Sequence, residues 1–268
     1  MKLILGIFVL CTSLYSVTFE EATLNFNKKN YVEAYEQYSE LALNDDANAQ
    51  YNIALMNYKG LGVNQNYKLA FFWYEKSALN GNAAAQNNLG HMYHLGESVK
   101  KDLQLAEKWY KDSAEQGYPL AQLNLAMLYD LSSNDDKARE AFFWYEKASL
   151  QGVIIAQNNI AKMYYMGRGT NLDKQKALYW FTKSSDASNP VAQVNLAMMY
   201  LTADGVNEDI GKAIELFTKA AEQNNLSAMI KLADLYGKGN QISQDYKKSF
   251  YWYNKAVEFK STTAIYHL

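Results

Sequence analysis

Ala85-Gln86-Asn87-Asn88-Leu89-Gly90-His91-Met92-Tyr93 decides the fold. Ala85, Leu89, Met92 and Tyr93 follow the i, i+4, i+7, i+8 spacing of one helix face. Gly96 breaks that helix, and Val99 in the following loop is expected to turn inward. A second helix starts near Asp102, a residue suited to cap it. It carries Leu105, Ala106, Trp109, Tyr110 and Ser113 on its expected inner side. Gln116-Gly117 closes this helix with a glycine fit for a left-handed cap. Pro119 then suits the first turn of the next helix. The stretch therefore begins a helix hairpin.

The hairpin returns along the chain. Ala-Gln recurs at Ala49-Gln50, Ala85-Gln86, Ala121-Gln122, Ala156-Gln157 and Ala192-Gln193. Ala228-Met229 continues the series and Ala264-Ile265 begins another unit, at spacings of 36, 36, 35, 36, 36 and 36. The five tryptophans, Trp73, Trp109, Trp144, Trp180 and Trp252, keep the same register, with Leu216 in the one gap. Recurrence of this kind marks a repeat architecture in which each hairpin buries its apolar face against the next. The tryptophans are expected to be equivalent core anchors. Small residues such as Ala49, Ala54, Ala70 and Ala78 let helix backbones approach closely.

Residues 17–44 form a variant hairpin with its turn at Lys29-Asn30 and with Ala34, Tyr38 and Leu41 but no tryptophan on its second helix. It is expected to cap the stack. Residues 45–268 then hold six units starting near 49, 85, 121, 156, 192 and 228, and a partial one from 264. The fourth unit has Leu131-Ser132-Ser133-Asn134 in place of a glycine loop and is one residue short, so a kink or loosening is expected there. No Ser/Gly/Pro-rich linker interrupts the series, which predicts one continuous array. The fold class read here is all-α, an α-solenoid of about seven helix-turn-helix hairpins.

Composition agrees and narrows the function. Only 2 prolines in 268 residues fit a mostly helical chain. With 26 basic and 28 acidic residues and no long run of one sign, the chain lacks a nucleic-acid footprint and a polybasic membrane patch. Met1-Lys2, the apolar run Leu3 to Leu10 and the small residues Thr12, Ser13 and Ser16 read as a secretory signal peptide over 1–16. Secretion or a periplasmic location follows, with cleavage after Ser13 or Ser16; a buried N-terminal helix is the other reading. The apolar run is shorter than the roughly 20 residues that span a bilayer. Cys11 is the single cysteine. Leu10 before it argues against lipidation, and removal of the leader leaves no thiol for disulfides or metal ligation.

These residues resemble the Sel-one-like repeat, a longer relative of the tetratricopeptide repeat. The resemblance rests on Ala85-Gln86-x-Asn88-Leu89-Gly90-x-Met92-Tyr93, on Gly60-Leu61-Gly62-Val63 and on Trp144-Tyr145-Glu146-Lys147-Ala148, and it covers about residues 45–268. It implies a right-handed superhelix, with first helices on the concave side and second helices on the convex side, and adaptor roles toward protein partners. Some cysteine-rich secreted relatives are described as binding or hydrolysing β-lactams, and a disulfide stitches each of their repeats. This chain has Ala78/Gln86, Ala114/Gln122 and Ser149/Gln157 at the matching positions, which puts β-lactam binding or a weak β-lactamase activity in doubt.

Function is therefore expected in the groove of first helices. Asn52, Asn88, Asn124, Asn159 and Asn195 occupy one position of successive first helices, with Lys231 in the sixth. Amides that both donate and accept suit an extended peptide backbone; fixing the stack is the competing role. Neighbouring positions vary, as selective recognition requires: Tyr51, Asn87, Leu123, Asn158, Val194 and Ile230, then Leu55, His91, Met127, Lys162, Met198 and Asp234. Leu123, Met127, Val194 and Met198 suggest an apolar anchor patch. His91 and His94 share a helix face at a spacing that a metal can use, but no further ligand lies nearby, and they read as groove-lining. Ser98-x-x-Lys101 matches one element of the serine β-lactamases without the Ser-Asp-Asn and Lys-Thr-Gly elements, and falls in an inter-helix loop. The expectation is a protein or peptide partner, no catalytic residue, no metal, no cofactor, no nucleic acid and no transmembrane segment.

Overall fold

The structure, a computed structural model, describes residues 17–259. The expected leader with Cys11 and the partial unit from Ala264 lie outside the described residues. Fourteen helices and no strand occur among the described residues. They are α1 (Phe19–Asn27), α2 (Tyr31–Leu43), α3 (Ala47–Lys59), α4 (Tyr67–Leu79), α5 (Ala83–Leu95), α6 (Leu103–Glu115) and α7 (Pro119–Asp130). Then follow α8 (Asp135–Leu150), α9 (Ile154–Met166), α10 (Lys174–Asp186), α11 (Pro190–Thr202), α12 (Ile210–Glu222), α13 (Leu226–Lys238) and α14 (Tyr246–Glu258). Odd-numbered helices are the first and even-numbered helices the second members of seven hairpins.

Local chemistry sets the helix ends. Side chains of Asp46, Asn66, Asn82, Asp173, Asn189, Asp209, Asn225 and Asp245 accept hydrogen bonds from backbone N–H groups of the first turns they precede. Such caps satisfy donors that a helix start leaves free. Asp102 does the same for α6, accepting from the Gln104 and Leu105 amides at 2.9 and 3.0 Å. Five of the seven first helices end on left-handed residues: Gly60, Gly96, Gly167 and Gly239, and, at the equivalent place, Ala203 with φ +54°; α1 and α7 end on right-handed Lys28 and Leu131.

The chain divides into two compact units, one up to Asp112 and one from Ser113. The division falls inside α6 and not at a linker. In the first unit, Tyr38, Tyr74 and Tyr110 are 1% exposed, and Ala34, Ala49, Ala54, Ala70 and Ala85 are fully buried around them. In the second, Tyr145, Phe181, Phe217 and Tyr253 hold the same register, with Ala141, Ala156, Ala177, Ala192, Ala213 and Ala228 beside them. Each such ring withdraws roughly 150–250 Å2 from water, and the alanines leave room for it.

The expected tryptophan anchors are buried at Trp109, Trp180 and Trp252. The ring after each tryptophan is buried as well: Tyr74, Tyr110 and Tyr145 at 1%, Phe181 at 2% and Tyr253 at 8% exposure, beside Trp109, Trp180 and Trp252 at 8–9%. Trp73 and Trp144 are only half-buried. Lysine side chains cover Trp73, Trp109, Trp180 and Trp252, with Lys108 over Trp109 at 3.8 Å and Lys183 over Trp180 at 5.4 Å. Leu105, expected inside, is exposed. Val99 does pack against the core of its unit. The short fourth-unit loop is not left loose. Arg168 pairs with Asp130 at 2.8 Å, and its Nη2 donates to the carbonyls of Asp130 and Ser132 at 2.6 and 2.7 Å.

Candidate functional site

Two rows of side-chain amides run along the first helices, and they have different environments. The Gln of Ala-Gln lies inside. Gln50, Gln86, Gln122, Gln157 and Gln193 are all buried. Their Nε2 atoms donate to the backbone carbonyls of Ala42, Ala78, Ala114, Ser149 and Ser185, eight residues earlier, at 3.2, 3.1, 3.3, 3.3 and 3.5 Å. Oε1 of Gln50, Gln122 and Gln193 accepts from Asn80, Gln151 and Gln223 at the end of the following second helix, at 3.0, 2.7 and 2.9 Å. One glutamine thus ties two successive second helices to the first helix between them. The asparagines Asn52, Asn88, Asn124, Asn159 and Asn195 are half-buried at the rim.

In the first unit, Tyr51 is half-buried with its ring 5.9 Å from that of Tyr74. Asn88 accepts from Asn87 Nδ2 at 3.1 Å, and Asn87 is buried rather than open to the groove. His91 is exposed, while His94 is half-buried with its ring 6.2 Å from that of Tyr110. Burial lowers the His94 pKa, and the nearby Lys101 and His91 add to the effect. No cluster of three His, Cys, Asp or Glu side chains able to hold a metal occurs among the described residues. Ser98 and Lys101 are both exposed in their loop.

In the second unit, Leu123 departs from expectation: at 6% exposure it belongs to the wall and offers little surface. The turn beneath it carries Leu125 and Ala126 at zero exposure, so this part of α7 faces into the hairpin. Met127 is open to solvent at 45%. Asn195 donates to Oδ1 of the buried Asn158 at 3.0 Å, Asn158 donates to Asn159 at 3.1 Å, and Asn159 hydrogen-bonds the Tyr145 phenol. The amide row therefore joins neighbouring repeats here, and Asn195 keeps its carbonyl side available.

Asn195 also lines a cleft of about 240 Å3 between α9 and α11, with Lys162, Tyr165, Met166, Met198 and Met199. A second cleft of about 170 Å3 lies between α11 and α13. Its residues Leu201, Lys231, Asp234 and Leu235 stand one repeat on from Tyr165, Asn195, Met198 and Met199. Of the expected site residues, Asn195 and Met198 meet in the first of these clefts. Sequence reading missed Tyr165, Met166 and Leu201; their distance from the Asn row, one to two helical turns on, was the available signal.

It also missed the loop residue between the two turn positions of positive φ. Glu97, Arg168 and Asp204 reach back to the end of the preceding first helix, and in the last repeat Gln241, one position further on, does the same. Glu97 hydrogen-bonds Tyr58, whose phenol pKa is pushed up to about 12, mainly by burial and then by that carboxylate. Tyr165 donates to Asp204 at 2.5 Å, Lys174 pairs with the same carboxylate, and Gln241 donates to the Leu201 carbonyl at 3.3 Å. Lys174 and Tyr165 together hold the Asp204 carboxyl below its usual range.

The Sel1 repeat model matches residues 47–82, 83–118, 119–153, 154–189, 190–225 and 226–258. The chain belongs to the Sel1 repeat family. Sel1 repeats are protein-interaction modules, and the fold class is the helical repeat that the sequence predicts. No curated protein matches the chain. A protective antigen of uropathogenic Escherichia coli with an SLR fold is 28% identical at a TM-score of 0.80; the match covers 91% of this chain and 54% of that one. This Sel1 chain thus spans about half the length of that antigen. A Sel1 repeat protein from Oxalobacter formigenes is 29% identical at a TM-score of 0.79, covering 88% of this chain and 95% of that one. An immunity protein of Pseudomonas aeruginosa shares the fold alone, at 19% identity and a TM-score of 0.53 over 81% of this chain and 82% of that one. Where cysteine-rich relatives have a disulfide, this Sel1 chain joins the same positions by hydrogen bonds: Gln86 to Ala78, Gln122 to Ala114 and Gln157 to Ser149.

Proposed function

We propose that this Sel1 chain is an exported, non-catalytic scaffold of the bacterial cell envelope that holds an extended protein segment along its first helices. The cleft of Lys162, Met166, Asn195 and Met198 carries the reading, because it combines an apolar floor with an amide and a charge at the rim. Open apolar side chains on this row, such as Met127 and Met166, add surface that a partner would remove from water. A prearranged helical frame keeps the ordering cost on the side of the partner. Among the other expected contacts, Asn88, His91 and His94 would serve the first unit, and Asn124 and Asn159 the second. The signal-peptide pattern supports export, and the antigenic role of the E. coli relative is in keeping with a location reached by antibodies.

Two measurements test the proposal. A photo-crosslinking residue at Met198 should capture a protein that the same residue at Lys219, on a second helix, does not. Met198→Asp and Asn195→Ala should weaken capture at unchanged circular dichroism. Equal capture at both places, or none at Met198, refutes groove binding. Cell fractionation with mass analysis of the mature N-terminus tests export; a full-length cytoplasmic protein refutes it. Nitrocefin hydrolysis by the purified chain, lost on Ser98→Ala, would overturn the non-catalytic reading.

A further inference from the structure

Resting on the groove reading, we infer that the segment held by the second unit is acidic and apolar, with bulky apolar anchors set beside carboxylates. The first helices of this unit are α7, α9, α11 and α13. Their charged residues are Asp130, Lys162, Lys231, Asp234 and Lys238, and α11 has none. Both carboxylates are engaged within the fold: Asp130 pairs with Arg168, and Asp234 accepts from Tyr253 at 2.5 Å. Asp204, in the loop after α11, is held by Lys174 and Tyr165. No ion pair engages Lys162, Lys231 or Lys238 among the described residues. Asp234 keeps its charge, because its donor is a neutral phenol, so three lysines face one uncompensated carboxylate and the balance on this face is positive, although the chain as a whole carries −2.

The lysines stand at the two clefts. Lys162 rims the cleft whose floor is Met166, Met198 and Met199; its counterpart one repeat on has Leu201 and Leu235 with Lys231 and Lys238 at the rim, where they outnumber Asp234. A cleft of apolar floor and cationic rim recognises an apolar side chain next to an anion, and two in succession recognise that pattern twice. Methionine floors adapt to different anchors, so the charge supplies more of the selectivity. Complementary charge also speeds encounter and weakens with salt.

The test uses the full chain and three fluorescein-labelled short peptides with the same two leucine anchors, flanked by glutamate, serine or lysine. Fluorescence anisotropy should show the glutamate peptide binding about tenfold more tightly than the lysine peptide, with the difference shrinking in high salt. Lys162→Gln and Lys231→Gln should each reduce the preference several-fold, and Met198→Asp should weaken every peptide. Serine or lysine peptides binding as tightly as the glutamate one, still dependent on Met198, would overturn the acidic preference and leave groove binding standing. No binding by any peptide would overturn the inference, while crosslinking at Met198 decides the groove reading independently. The salt comparison needs no variant and stands if a substitution disturbs folding.

Discussion

At the residue scale, backbone conformation sets the sharpest constraints. Gly169 has φ +67°, and a Cβ there would lie 2.2 Å from the Ala138 carbonyl oxygen. Backbone of the preceding hairpin cannot yield as a flexible side chain would. Gly169→Ala should cost about 2 kcal/mol or more, read from the urea midpoint. Ala203 is the reverse case. It takes the left-handed conformation that glycine takes at Gly60, Gly96, Gly167 and Gly239, and a Cβ is disfavoured there. Ala203→Gly should raise stability by roughly 0.5–1 kcal/mol, the relieved strain being partly offset by the entropy of glycine in the unfolded chain. Neither effect requires knowledge of a partner.

At the scale of the element, side chains that cross from one helix to another hold the stack together. Gln50 is fully buried, donates to the Ala42 carbonyl and accepts from Asn80. Gln50→Ala should destabilise by about 2 kcal/mol, because it leaves a small void and strands polar groups without water. Arg168 is more exposed, so its ion pair contributes little by itself, but its two hydrogen bonds order the loop after α7. Arg168→Ala should cost about 1 kcal/mol and raise hydrogen exchange over residues 131–134, a change that mass spectrometry would localise. The period of the chain made every helix legible beforehand, down to Asp102 as a cap and Gly96 as a stop. It did not separate the two amide rows. Gln and Asn recur with equal regularity, and recurrence says that positions are equivalent without saying which way they face.

At the scale of the whole molecule, acidification should weaken the fold through at least two groups. His94 has a lowered pKa in the folded chain, so the unfolded chain binds more protons once pH drops below about 6.5. Stability then falls with pH from that point, and His94→Gln should flatten the slope between pH 7.5 and 5.5 in urea titrations. Asp204 has a lowered folded pKa as well. Its contribution is present above the ordinary carboxyl range and is lost as pH falls below about 4 through the folded value. Asp204→Asn should remove that second decline, while an unchanged curve would show that the Lys174 pair does not couple to folding.

The sequence by itself determined the hairpin, its 36- and 35-residue period and the helix ends, because these follow from local capping and from periodic apolar spacing. Only the tertiary structure decided depth and pairing. It buried the ring after each tryptophan, turned glutamine inward and asparagine to the rim, closed Leu123 into the wall, and engaged Asp130 and Asp234 while leaving Lys162 and Lys231 open. Depth depends on where neighbouring helices cross, and a free charge is free only when no other element brings it a partner. Both are properties of residues distant in sequence, such as Asp234 and Tyr253 or Asp130 and Arg168, which a repeat pattern places in register but does not bring into contact.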